Sequence, residues 1–159
     1  LTLEAFNKKV DPEDSKRAVK LLKEKDIFSQ ATFIIGERRD SAESIAKMRD
    51  FTSDLDPDLA IFMILTPFPG TEVYEKARLN GWIEDNNWAN YDMVHAIMPT
   101  ENLSREEVQE ELYECYRSFY GSFSRRLKGV FSKNKLKRRT YRYMASQGIM
   151  MQLKSLFLR

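Results

Sequence analysis

One cysteine, Cys115, and one histidine, His95, are all that the 159 residues offer of the softer metal-binding side chains. A disulfide framework, a zinc knuckle or an iron-sulfur cluster therefore cannot be assembled from this chain alone. Apolar runs are short, and none approaches the ~18 residues of a membrane-spanning helix. The opening LTLEAFNKKV lacks the order of a secretory signal, so a cytoplasmic location is expected. Proline and glycine are scarce, five and six in all. Acidic residues stop at Glu114.

What remains is 42% hydrophobic and 31% charged, enough for one domain with a real core plus appendages. The first residue is Leu1 and an ordered pattern begins almost at once, so the chain is expected to be cut from a longer one. Charge is split between its ends. Twelve of the 26 basic residues follow Glu114 and none of the 24 acidic ones does, which leaves the preceding residues with an acidic excess of ten. A net charge of +2 hides this dipole. Between residues 117 and 142 the cations are interleaved with Phe119, Tyr120, Phe123, Phe131 and Tyr141. Such a segment suits the acidic body of its own protein, an acidic membrane surface, or RNA. The last stretch, with Met144, Met151 and Leu158 on one apolar face, suits an interfacial or packing helix.

Helices and strands alternate along the first half. Residues 11–25 predict a helix capped by Asp11, opened by Pro12 and carrying Ala18, Leu21 and Leu22 on one side. Residues 28–36 (FSQATFIIG) predict a strand ended by a glycine. Residues 41–55 predict a helix with caps at Ser41 and Ser44 and an apolar face of Ile45, Met48, Phe51 and Leu55. Seven apolar residues then run unbroken over 59–65, the pattern of a parallel strand covered on both faces. Pro67 and Pro69 stiffen the following turn, Gly70 permits a left-handed backbone, and Thr71 caps a helix over 71–80 that Gly81 ends. In parallel α/β folds ligands sit where strands end and helices begin, so the TPFPGT turn is the place to seek function.

Residues 82–102 are polar and aromatic without clear period, as in a long loop over strand ends. A mostly helical stretch over 103–131 follows, with a capping box at Ser104 and Glu107 and expected breaks at Gly121 and Gly129. Cys115 falls on the apolar side of this helix as a small core residue, and His95 in the loop as a hydrogen-bonded or substrate-facing group. Two strands cannot close a barrel. They predict one piece of a larger parallel sheet, with edges for another segment to cover.

The runs AFNKKVDPEDSKRAVKLLKEKDI, TFIIGERRDSAES, PDLAIFMILTPFPGTEVYEKA and NWANYDMVHAIMPTENLSREEV together resemble the C-terminal half of radical S-adenosylmethionine enzymes. The resemblance is to the cobalamin-binding class that includes anaerobic magnesium-protoporphyrin monomethyl ester cyclase, and it extends over residues 1 to about 120. It implies an α/β fold, the C-terminal fragment of a partial (β/α)6 TIM-like barrel with parallel strands, followed by a helical basic tail. Residues 1–81 would be the partial barrel, 82–102 the loop over the strand ends, and 103–159 the basic helical extension. It also implies S-adenosylmethionine as cofactor. A [4Fe-4S] cluster, on three cysteines of earlier strands, and cobalamin would both be bound by segments absent from this chain.

By the same resemblance, Ile34 and Gly36 match the strand-end motif that packs on adenine and ribose. Ile64, Leu65 and Thr66 match the adenine contacts of the last strand, with Pro67 at the cavity mouth. The family's proline-glycine-glutamate after the first of these strands is replaced by Arg38, Arg39 and Asp40, which implies a less constrained turn and offers two cations to a carboxylate or to solvent. No catalytic residue or metal ligand is assigned.

Two functions follow. The first is the S-adenosylmethionine-facing and substrate-facing half of a radical oxidoreductase, cyclase or methyltransferase. That half is inactive without its cluster-binding partner half, in the same polypeptide or a separate subunit, and acts on a small molecule that is large and apolar for its class. The alternative is a non-catalytic binding module that uses residues 117–142 on RNA or an acidic membrane surface.

Overall fold

Asp11 takes an extended backbone and accepts a hydrogen bond from the Glu13 N–H (2.9 Å), and Pro12 begins helix α1, Pro12–Glu24. The computed structural model describes residues 11–157, and the side chains of residues 11–147. Residues 1–10 of the resemblance, and the Met151 and Leu158 side chains of the expected apolar face, lie outside what is described. Val19 is the buried residue of α1, with Leu22 half-buried three positions on, whereas Ala18 and Leu21 are exposed. The expected face was rotated by one residue, because Ala18 and Leu22 share helical spacing as well as Val19 and Leu22 do.

Strand β1, Gln30–Ile35, and strand β2, Leu59–Ile64, are parallel neighbours in register from Gln30 opposite Leu59 to Ile35 opposite Ile64. Their amino ends are clamped together. Asp58 Oδ2 accepts from Ser29 N–H (2.9 Å), and Ser29 Oγ accepts from Asp58 N–H (3.0 Å). Helix α2, Ala42–Leu55, starts at Ser41 with a capping box completed by Ser44 and stops at Asp56 in the left-handed region. Helix α3, Glu72–Leu79, is capped by Thr71 and ends at Gly81, whose φ of 67° suits a residue without a β-carbon.

Helix α4, Arg105–Tyr120, has the expected capping box and ends at Gly121. The second expected break falls just after Gly129, which lies in the last turn of α5, Phe123–Val130, and there the Tyr141 ring rests so closely on its backbone that a β-carbon would overlap the ring. Close approach, not a turn, is the reason for this glycine. Helix α6, Lys135–Phe157, completes the described residues, which thus hold six helices and a two-stranded parallel sheet in a mixed α/β fold. Among them no helix is long and apolar enough to cross a membrane.

Burial on β2 alternates. Ala60, Phe62 and Ile64 point with Ile35 into a core built by Ile45 of α2 and by Val108, Leu112, Cys115 and Phe119 of α4. Leu59, Ile61 and Met63 point the other way, together with Thr32 and Ile34, and are only partly covered. The expectation of a strand covered on both faces therefore fails among the described residues. An unbroken apolar run reports that both faces are apolar, not that both are packed.

The edges differ as well. Tyr120 Oη accepts from Ala60 N–H (3.0 Å) and donates to Ala60 O (2.7 Å), and Tyr116 Oη does the same with Phe62 (3.3 and 2.9 Å). Tyr141 Oη donates to Asp58 O (3.1 Å) and Ile64 N–H donates to Met93 O (2.8 Å). Four residues of helix rise about 6 Å and two of strand about 6.6 Å, so hydroxyls at i and i+4 on α4 meet alternate residues of β2. At the opposite edge, the backbone groups of Thr32 and Ile34 point away from β2, and no described residue pairs with them.

Candidate functional site

At the carboxyl tips of the strands, two turns and the 82–102 segment converge. Gly36 takes φ of 83°, and a β-carbon there would meet Val108 Cγ1 at 3.3 Å and Ile64 Cγ2 at 3.4 Å, so both backbone and space call for glycine. Asp40 then folds back: its Oδ2 accepts from the N–H of Gly36 (2.9 Å) and of Glu37 (3.1 Å), and its Oδ1 from Ser44 Oγ (3.1 Å). Burial pushes the Asp40 carboxyl above its usual range, against the pull of these three donors. The turn is thus tightly held, contrary to the looser one expected from losing the proline and glycine. A short aspartate at this position reaches its own backbone, where it acts as an internal staple.

The turn in turn anchors residues 99–102. Thr100 Oγ1 donates to Asp40 O (2.9 Å), Glu101 N–H to Arg38 O (2.7 Å), and Arg38 Nη1 to Pro99 O (2.7 Å). The Arg38 guanidinium lies 4.3 Å from the centre of the Trp82 ring, and its Nε is buried without a partner among the described residues. A cavity of about 310 Å³ opens here between the strand tips and α3, with Arg38, Arg39, Lys76, Leu65, Trp82 and Glu101 in its wall. Three cations and two acids, Glu37 and Glu101, face it.

After β2, Leu65 N–H still donates to Ile35 O (2.8 Å), and Thr66 Oγ1 turns back to Ile64 O (3.2 Å). Pro67 is buried, and Gly70 turns with φ of 84°. The 82–102 segment is far from loose. Ala96, Ile97 and Met98 are buried, and Gln109 of α4 accepts from Ala96 N–H (2.9 Å) and donates to Val94 O (3.0 Å). Met93 has φ of 65°, unusual for a side chain that is not glycine, in a turn where Asp92 accepts from the N–H of Val94 and His95. His95 is exposed, with Nδ1 2.8 Å from Asp92 Oδ2.

The six residues singled out by resemblance are thus spread over different surroundings. Ile34 lies on the open face, 42% exposed. Leu65 lines the cavity. Gly36, Thr66 and Pro67 shape the turns, and the Ile64 side chain faces the helix-covered core while its N–H and C=O are already engaged. Trp82, Lys76 and Glu101 were not singled out. Their positions depend on the packing of α3 and of the 99–102 turn, for which no short motif exists, although a tryptophan directly after the helix-ending Gly81 was a visible signal. Cys115 is fully buried and burial pushes its thiol up to about 11, as befits a core residue. Among the described residues no three histidine, cysteine, aspartate or glutamate side chains form a metal-binding group, so these residues do not fit an iron-sulfur cluster.

No protein-family model matches the chain. Curated relatives do. Over 120 residues it is 33% identical to an anaerobic magnesium-protoporphyrin IX monomethyl ester cyclase of Cereibacter sphaeroides, covering 76% of this chain and 19% of that protein. Over 118 residues it is 33% identical to an uncharacterized methyltransferase of Pyrococcus horikoshii, covering 74% and 26%. Over 137 residues it is 25% identical to a bacteriochlorophyllide d C-8(2)-methyltransferase of Chlorobaculum tepidum, covering 85% and 30%. The chain therefore spans between 19% and 30% of the length of these relatives.

Proposed function

The chain is homologous to radical S-adenosylmethionine enzymes of the cobalamin class, and from that premise we propose that it forms the closing part of such an enzyme's barrel, holding the adenine-facing and substrate-facing side of the site. In this reading β1 and β2 are the last two strands of a partial (β/α)6 barrel, residues 82–102 lie over the strand ends, and residues 103–159 form the basic helical extension. One observation carries it: among the described residues the sheet is finished on one side only. Helices cover one face and tyrosines seal the β2 edge, whereas the other face and the β1 edge, lined by Thr32, Ile34, Ile61 and Met63, are left for a preceding strand and a ligand.

S-adenosylmethionine, with a reduced cluster, supplies hydrogen-abstraction chemistry. The residues here contribute binding and shape to that chemistry. Ile34 and Leu65 offer apolar contact for adenine, and the stiff turn through Pro67 and Gly70 holds the rim of the pocket. The cluster and cobalamin belong to segments outside this chain. The relatives' names refer to magnesium-protoporphyrin and to bacteriochlorophyllide, and a flat, acidic tetrapyrrole is the substrate we infer. The Trp82 ring and the Arg38 guanidinium beside the cavity suit such a molecule, the ring by stacking and the cation by pairing with a carboxylate.

Methyl-labelled spectra of the isolated chain test the adenine role. Millimolar S-adenosylmethionine should shift the methyls of Ile34 and Leu65 and leave Leu112, in the core, unmoved. Unchanged Ile34 and Leu65 signals at that concentration would overturn it.

A further inference from the structure

Helix α5 has two opposed faces. Arg125 and Gly129, four residues apart, face the body: the Arg125 guanidinium lies 4.0 Å from the centre of the Phe119 ring and pairs with Asp56 (2.6 Å), and Gly129 is covered by Tyr141. At 100° per residue, Phe123 and Leu127 lie about 200° from that pair, directed away from the body. They are 76% and 48% exposed, and Phe131, one turn further, is 70% exposed. Bulky apolar side chains lined up in this way on a surface mark a contact site.

The rim of that stripe is cationic. Arg126 and Lys128 flank it, and Lys133 follows, all exposed. Ion pairing within the fold takes up Arg125 and Lys137, the latter on Asp58 (2.7 Å), but the described residues show no carboxylate paired with Arg126, Lys128 or Lys133. No acidic residue occurs anywhere after Glu114.

We propose that residues 122–142 dock on an anionic lipid bilayer, with Phe123, Leu127 and Phe131 entering the boundary between headgroups and acyl chains and the flanking cations remaining among the headgroups. A short helix with one apolar stripe and a basic rim is the form that lies in such an interface. RNA is disfavoured because aliphatic Leu127 stands between Phe123 and Phe131, so the stripe offers no continuous aromatic platform for successive bases. A protein partner would need to bury the stripe while matching cations on both of its sides. This assignment does not rest on the radical-enzyme reading, and either can fail without the other.

The test is co-sedimentation of the full chain with vesicles of phosphatidylglycerol and phosphatidylcholine in equal parts, with vesicles of phosphatidylcholine alone, and with a labelled single-stranded RNA. The chain should pellet with the anionic vesicles, and the bound fraction should fall when salt is raised to about 0.5 M. The double substitution Phe123→Ser with Phe131→Ser should weaken vesicle binding about tenfold, as should Lys128→Glu with Lys133→Glu. Both pairs are exposed, and an unchanged circular dichroism spectrum and melting temperature would confirm that the fold is kept. Equal binding to neutral vesicles, undiminished binding by the serine variant, or retention on RNA but not on anionic vesicles would each overturn the proposal. So would a dimer in sedimentation equilibrium that the serine substitutions dissolve.

Discussion

The two strands of the sheet are both mostly apolar in sequence, β1 with Gln30 and Thr32 as its polar residues, and differ sharply in their surroundings. Along β2, Ala60 and Phe62 have their backbone groups engaged by tyrosine hydroxyls and their side chains in the core. Along β1, Thr32 and Ile34 have neither among the described residues. Among the described residues one strand is closed on its face and its edge and the other is open, and the difference teaches that apolar content alone does not tell a packed face from an open one.

Substitution on the two faces should break the comparison most plainly. Phe62→Ala empties a site in contact with Phe33, Tyr116 and Phe119. It should lower unfolding free energy by about 3–5 kcal/mol in urea titration. Ile34→Ala, on the open face, should lower it by about 1 kcal/mol or less. Equal losses would mean that the open face is packed in solution.

A smaller effect separates the edges. Tyr120→Phe removes one hydroxyl that serves both the N–H and the C=O of Ala60, and should cost about 1–3 kcal/mol while speeding hydrogen exchange at Ala60. Thr32→Ser, at the edge that no described residue pairs with, should leave both stability and exchange nearly unchanged. If Tyr120→Phe is equally silent, the edge is sealed by something other than the hydroxyls.

The smallest effect concerns the turn that precedes α2. Because burial raises the Asp40 pKa, the folded chain holds its proton over a range where the unfolded chain has lost it. The stability Asp40 contributes is therefore complete below the ordinary aspartate range and declines as pH rises through the raised folded value. Asp56 behaves oppositely. Burial works against its charge, but the hydrogen bond from Lys23 and the charge of Arg125 leave its pKa lowered, so its contribution is present above the ordinary range and is lost as pH falls. Denaturation midpoints followed through the acid range should show Asp40→Asn removing the first slope and Asp56→Asn the second. Slopes that survive these substitutions would assign the dependence to other groups.

Much of this was legible from residues 11–120. Helix caps at Asp11, Ser41, Thr71 and Ser104 were readable because a short polar side chain beside a helix start acts on backbone only two or three residues away. The two strands and their parallel pairing followed from apolar runs separated by a helix. The family was readable from strand-end motifs and is matched by the relatives. The cavity was legible in part: Arg38 and Arg39 stood out as departures from the motif, whereas Trp82, Lys76 and Glu101 did not.

Local signals thus sufficed for the elements, their order and the place to look for a site, since each depends on interactions over a few residues of chain. Three matters waited on the folded arrangement: which face of the sheet is packed, which glycine admits a neighbouring ring, and which hydroxyls close an edge. Gly129 meets Tyr141, and Tyr120 meets Ala60, across spans of chain that no periodicity connects. Such contacts form only after helices have packed on the sheet, and their geometry depends on every element in between.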